Sequence, residues 1–428
     1  MKKRRRRRSK GPIIAIVVFA LVVGVLVAVF SGSSGGSFSA YTITGAEYPK
    51  KAAVVTEESD AYFMNAFVNR SVPSLIWGVD NKNRLCSPAA AYTELAMIAE
   101  ATGGETREQA LSLLGSSDIE QSRARAEHLF SSVYRDDADG KRIPAASIWL
   151  DEDVNFNKDT MKTFASVYHA SSFIGDRDKG AYQKAVRAWI EKQTGGILRD
   201  GGEYAPFAQG ADALMISTLT FDGEWLLKFD AGETAPAVFH TPEGDVMCDF
   251  MRNDKYTNVY YEFPQFRAVA QSYKDGCTMW YILPNEGITP ESLLADDQLK
   301  TFLTPAKREY DLKKGTFVLR VPKFDVTYTS DLGRSLPELG VTLALDPASA
   351  DYSPLCEDKS IYIYDIKSDI RVSTDENGTK ASAAVKGNPE EQSESGAAEF
   401  TLDRPFMFMI CSPDDLPLFV GIINDPTK

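Results

Sequence analysis

The spacing of apolar and polar positions changes along the chain. Residues 13–30 form one apolar run without charge, which predicts a helix long enough to span a bilayer. Ser87 followed by Pro88 predicts a capped helix start, and Gly103-Gly104 predicts its end. Thr106-x-x-Gln109 has the form of a capping box opening the next helix. Further on, 277–283 and 316–324 are short β-branched and aromatic runs that predict strands. Helical patterns dominate the first 200 residues and strands the rest, so the expected class is α+β rather than a repeating βαβ fold.

One late segment alternates with period two. Thr379, Ala381, Ala383, Val385 and Gly387 fall on one side of an extended chain, and Lys380, Ser382, Ala384 and Lys386 on the other. Side chains this small on the first side can enter between existing strands without overpacking a core, while the second side faces water. The same composition also suits a polar linker, so pattern alone leaves both readings open.

The leader is a separate unit. MKKRRRRRSK precedes the apolar run, which is longer than a signal-peptide core, and Ala28-Val29-Phe30 is a poor cleavage site. A basic cytoplasmic tail (1–12), a single-pass anchor (13–30, with a cleaved signal as the alternative) and a Gly/Ser-rich linker (31–58) are expected, followed by one large domain over 59–428. This places the body outside the cell, on the membrane, or secreted if the leader is cut.

Composition narrows the function. The chain is 43% hydrophobic and 25% charged, ordinary for a globular protein. Its net charge is −13 although the first ten residues carry eight basic groups and no acid, so the body is strongly acidic and repels nucleic acid. Five cysteines without paired spacing imply no disulfide framework, and Cys86 and Cys411 read as small core residues. There is no Gly-x-Ser-x-Gly, no His-Glu-x-x-His and no phosphate-binding glycine loop; the three histidines (128, 169, 240) lack ligand-like spacing. The expectation is a non-enzyme with no catalytic residues, no metal and no cofactor.

Eight blocks in order carry a resemblance from about residue 59 to 426. They are NRLCSPAAAYTELAMIAEATGGETREQ (83–109), ASIWLDEDV (146–154), VRAWIEKQTGGIL (186–198), FDGEWLLKFDAGET (221–234) with its spaced Phe221, Gly223, Trp225, Phe229 and Thr234, MWYILP (279–284), VPKF (321–324), FTLDRPFMFMI (400–410) and PLFVGIINDP (417–426). Together they resemble the serpin family, and 376–400 is similar to its reactive-centre loop. The resemblance implies helices packed on a large mixed sheet, smaller sheets, and an exposed loop that a target endopeptidase attacks as a substrate. It implies a suicide inhibitor of serine endopeptidases, with cysteine endopeptidases as the alternative target class, trapping the acyl-enzyme by loop insertion into the main sheet. The alternative is a non-inhibitory serpin-like surface binding or chaperone protein.

The same resemblance assigns residues. The hinge is Glu376, Gly378, Thr379, Ala381, Ala383 and Ala384. Counting along the loop from either end places the scissile bond within Gln392, Ser393, Glu394 and Ser395, a window without Lys or Arg. Elastase-like, subtilisin-like or glutamyl-type targets are therefore expected over trypsin-like ones, with the inhibitor acting as a monomer. The shutter-like cluster departs from the family: Ser217 stands for the expected Asn, Ser368 for the expected His, and Ala90 for the second Ser after Ser87-Pro88. Smaller partners shift control of the sheet toward packing or water. Asn377-Gly378-Thr379 is an Asn-glycosylation acceptor inside the hinge, where a glycan obstructs insertion. With the Arg-rich anchor, this points to a bacterial cell surface.

Overall fold

A computed structural model describes residues 37–48, 61–137, 140–196, 211–304, 313–356, 361, 363–379 and 398–428. Helices come first: α1 (Asn65–Ile76), α2 (Pro88–Ala101), α3 (Gly104–Leu114), α4 (Ile119–Val133), α5 (Lys158–Ser166) and α6 (Gly180–Gln193) precede the short α7 (Pro290–Leu293), α8 (Asp297–Phe302) and α9 (Leu332–Ser335). Two large sheets supply the rest, so the α+β expectation holds.

The first sheet is built from β1 (Thr42–Thr44), β3 (Arg135–Asp137), β4 (Gly140–Asp151), β5 (Ala170–Gly175), β6 (Ala213–Glu224), β12 (Phe324–Asp331), β13 (Ile363–Thr374) and β14 (Gly378–Thr379). Its order is β1-β5-β4-β6-β14-β13-β12, with β3 pairing β4. The second contains β2 (Arg84–Cys86), β7 (Ala235–Thr241), β8 (Gly244–Glu262), β9 (Phe266–Ser272), β10 (Thr278–Pro284), β11 (Lys313–Pro322), β15 (Ala398–Thr401), β16 (Phe406–Cys411) and β17 (Pro417–Ile423), in the order β15-β11-β8-β9-β10-β16-β17-β2 with β7 on β8. The predicted strands correspond to β10 and to β11 with β12, where Lys323 separates two strands at one bend.

Helix α2 runs between the sheets, with contacts to both β6 and β17. This explains its composition: of its fourteen residues only Thr93 is not buried. A helix apolar on every side has no solvent face to keep polar. Ser87 caps it, its hydroxyl accepting the Ala90 N–H at 3.2 Å. One continuous core then joins the helices to both sheets, and Phe221–Phe419 and Phe324–Phe408 are ring pairs within it. A second apolar layer, with Trp149 stacked on Phe173 at 4.0 Å, fills the space against α6.

Two expectations are corrected. Helix α3 begins at Gly104, with Gly103 as its cap, and not at Thr106. Thr106 is buried and accepts the Asp351 N–H, while Gln109 accepts from the backbone of Thr342 and Leu343. The two side chains of the supposed capping box are thus held by the 342–351 segment. The membrane anchor expected over 13–30 is not supported, because no helix among the described residues is long and apolar enough to cross a membrane. The longest of them, α4, has fifteen residues and spans about 22 Å, short of the ~30 Å hydrocarbon layer. The cell-membrane location and the membrane contact built on that anchor are withdrawn with it; residues 1–36 lie outside the described residues.

Candidate functional site

Strand β13 ends at Thr374, turns through Asp375, Glu376 and Asn377, and re-enters the first sheet as β14, between β13 and β6. Asp375 makes the turn: its carboxylate accepts the Asn377 N–H at 2.7 Å and its N–H donates to the Gly378 carbonyl at 3.0 Å. Thr379 then pairs with Thr374 on one side and Gly223 on the other, and Gly378 with Glu224. Thr379 is only 2% exposed; its hydroxyl shares a 2.5 Å hydrogen bond with the Tyr273 hydroxyl. Gly378 is required by this fit, since a Cβ there would lie 2.1 Å from the Gly223 carbonyl oxygen.

The spaced residues of the 221–234 block surround this turn. Trp225 donates its backbone N–H to the Asn377 carbonyl and its indole N–H to the Asp375 carbonyl, both at 2.9 Å, and stacks on Tyr273. Phe229 donates its N–H to the Glu376 carbonyl at 3.1 Å, and the Thr234 hydroxyl donates to the Glu376 carboxylate at 2.9 Å. Phe221 packs edge-on against Tyr273, and Gly223 leaves room for both rings. Lys323 completes the clamp with an ion pair to Glu376 at 3.1 Å. Burial pushes the Glu376 carboxyl up, but the backbone, Lys323 and Thr234 bonds outweigh it and hold the pKa below the usual range.

Below the turn the two flanking strands part. Strands β6 and β13 pair in parallel at Ile366–Met215, Lys367–Ile216 and Ser368–Ser217, and their described pairing stops there. It resumes only through β14 at Gly223. The fork therefore lies at Ser217 and Ser368. Their hydroxyls are 3.0 Å apart, and both donate to the Glu94 carboxylate of α2, at 2.8 and 3.2 Å; the Ser217 N–H donates to the same oxygen at 3.1 Å. Glu94 is 1% exposed, and its second oxygen has no partner among the described residues. Burial pushes its carboxyl up to about 7; the Ser217 and Ser368 bonds oppose the rise and the Asp331 charge adds to it.

Of the expected shutter residues, Ser217 and Ser368 meet at the fork. Ser87 is instead engaged as a helix cap, and Ala90 lines a small, partly open pocket beside Ser217, Thr218 and Phe130. The expectation of control by packing or water missed Glu94. The signal was available: 87, 90 and 94 fall on one helix face, and Glu94 is an acid within an apolar run. Glu376, Gly378 and Thr379 come together as described. Ala381, Ala383, Ala384 and the window Gln392, Ser393, Glu394 and Ser395 lie outside the described residues, which resume with β15, parallel to β11 in the second sheet.

The arrangement has clear relatives. A family model described as serpin (serine protease inhibitor) matches residues 64–426. Serpin-Z2B of Oryza sativa subsp. japonica is 25% identical over 413 residues, covering 85% of this chain and 97% of its own length. Plasminogen activator inhibitor 1 of Bos taurus is 24% identical over 357 residues, covering 81% and 87%. Among solved structures, native tengpin, a thermophilic serpin, superposes with a TM-score of 0.77 at 24% identity, covering 89% of this chain and 97% of that one. Arabidopsis AtSerpin1 in its native stressed conformation gives 0.75 at 22% identity, covering 88% and 100%.

Proposed function

The chain belongs to the serpin family, whose members are generally inhibitors of proteases rather than catalysts, and from that premise we propose that it is a suicide-substrate inhibitor of serine endopeptidases. The observation that carries this reading is β14: Gly378 and Thr379 already form the first residues of an extra strand between β6 and β13. The site needs only to be lengthened. A target peptidase attacks the 392–395 window and forms an acyl-enzyme with its own nucleophile. Cleavage frees the segment after Thr379 to continue the strand, with Ala381 and Ala383 following Thr379 on its inward side and Ala384 on the outward side. About 14 residues at ~3.3 Å each carry the acyl-enzyme roughly 45 Å. For a domain of this size, with a radius of gyration near ~21 Å, that is about one molecular diameter. The peptidase is pressed against the far pole before hydrolysis can finish. Release of stored strain drives the movement, a mode of switching for which serpin loop insertion is itself a standard example.

Within that reading, the absence of Lys and Arg from 392–395 favours elastase-like, subtilisin-like or glutamyl-type targets over trypsin-like ones. The exposed Asn377 of the hinge turn favours a bacterial host, where no glycan is attached. The test is a pair of thermal melts, of the intact protein and of protein cleaved within 392–395. Insertion raises the melting temperature of the cleaved form well above that of the intact one. Equal melting temperatures overturn the reading and leave a binding protein in its place.

A further inference from the structure

We propose that Glu94 is the positioning residue that holds the β6–β13 fork shut, and that the fork opens as Glu94 takes up a proton. This rests on the insertion reading above and adds a control to it.

The geometry carries the argument. One carboxylate oxygen accepts hydrogen bonds from Ser217 on β6 and from Ser368 on β13, at the last described pair of the parallel seam. That is possible only while the strands are neighbours, about 4.8 Å apart. A strand inserted between them doubles the spacing, and one oxygen can no longer reach both hydroxyls. An incoming strand that continues the Thr379–Gly223 register brings Val385 opposite Ser217, on the same inward side as Thr379. The carboxylate thus exchanges a hydroxyl donor for an isopropyl group. A charge deprived of a donor in a dry site is strongly disfavoured, whereas a neutral carboxylic acid is tolerated there.

The sign follows. Opening removes bonds that hold the Glu94 pKa down, so its pKa is higher in the opened seam than in the closed one. The opened state binds the proton more tightly, and opening is favoured as pH falls through about 7 and opposed above it. Among the described residues, no basic side chain acts on the Glu94 carboxyl. Asp331, capping α9, is the charged group whose field reaches Glu94, and it acts in the same direction. Several basic groups on elements packed on α2 are held elsewhere, among them Arg70 on the Leu339 carbonyl, Arg107 on the Ala99 carbonyl, Arg123 on Glu100, Arg125 on the Gly115 carbonyl, Lys141 on Asp136 and Arg142 on Asp275. On β6 and β13, Glu224 pairs with Lys274 and Arg371 with Asp325.

The test uses the full chain and a capped synthetic peptide, acetyl-TKASAAVKGN-amide (residues 379–388), which contains no group titrating near neutrality. Annealing is followed by native gel with labelled peptide and by the rise in melting temperature. The wild-type rate should increase about tenfold from pH 8 to pH 6, tracking the protonated fraction of one group with a midpoint near 7. Glu94→Gln, which keeps the acceptor but not the charge, should anneal rapidly with a flat profile. Ser368→Ala, which leaves the carboxyl in place, should anneal faster at pH 8 and move the midpoint upward. Equal pH dependence in wild type and Glu94→Gln overturns the inference and leaves insertion standing, as does an unshifted Ser368→Ala profile. Failure of the peptide to anneal at any pH overturns the insertion reading and this inference with it.

Discussion

Thr379→Arg is the substitution that most directly probes the docked hinge. The native side chain is 2% exposed and sits among Tyr273, Thr374 and Gly223, with hydroxyl contacts of 2.5 Å to Tyr273 and 3.4 Å to Thr374. Replacing it loses two hydrogen bonds at about 0.5–1.5 kcal/mol each. It also asks the sheet to accept a guanidinium with no carboxylate among those neighbours, a cost of several kcal/mol. Taking about 3 kcal/mol as a low total, the docked strand start from which insertion grows is populated roughly 10²-fold less, and insertion slows with it. Inhibition is a race between insertion and hydrolysis of the acyl-enzyme, so a delay of that size hands the race to hydrolysis. The assay is the ratio of trapped to cleaved inhibitor after reaction with an elastase, on denaturing gels. The variant should be cleaved at the wild-type rate and leave almost no trapped product, while Thr379→Ser, which keeps the hydroxyl, should still trap. Full trapping by Thr379→Arg would refute the idea that the strand begins at this residue.

Three further outcomes follow from the same contacts. Because the Glu376 pKa is held below its ordinary value of 4.5, the stabilisation it gives the turn is complete above that value and is lost as pH falls through the lower, folded one. Lys323→Ala should move this acid transition toward the ordinary value and speed proteolysis around 375–379 near pH 4. Mass spectrometry of inhibitor cleaved by a glutamyl or elastase-type peptidase should place the cut between Gln392 and Ser395; a cut after Lys386 alone would sink that assignment. The intact mass of an active inhibitor should show no glycan on Asn377, since the Thr379 hydroxyl of the acceptor triplet is buried and bonded. A glycan there would contradict both the docked hinge and the host assignment.

What could be read from the chain depended on how local each cause was. The α2 start was legible because a Ser-Pro pair and an apolar run suffice to specify it, and Ser87 does cap that helix. Of the period-two run of small residues only its first member, Thr379, is described, and it is buried. The α3 start was misread because Thr106 and Gln109 bond to a segment more than 230 residues later, which local pattern does not encode. Glu94 stood out locally as an acid in an apolar helix, but its partners did not. Its two serine partners lie 123 and 274 residues away, and only the sheet brings them over one helix. The purpose of Trp225, Phe229 and Thr234 was likewise invisible until the turn at 375–377 was placed against them.

The central claim is that cleavage of the loop traps the peptidase. The most direct measurement mixes the full chain with pancreatic elastase, neutrophil elastase, subtilisin and a glutamyl endopeptidase, and resolves the products under denaturing conditions. The account predicts, with at least one of them, a band at the summed mass of the peptidase and the cleaved inhibitor that survives denaturation, as an ester-linked acyl-enzyme does. Clean cleavage within 392–395 by these enzymes, with no such band and full recovery of peptidase activity, would contradict it.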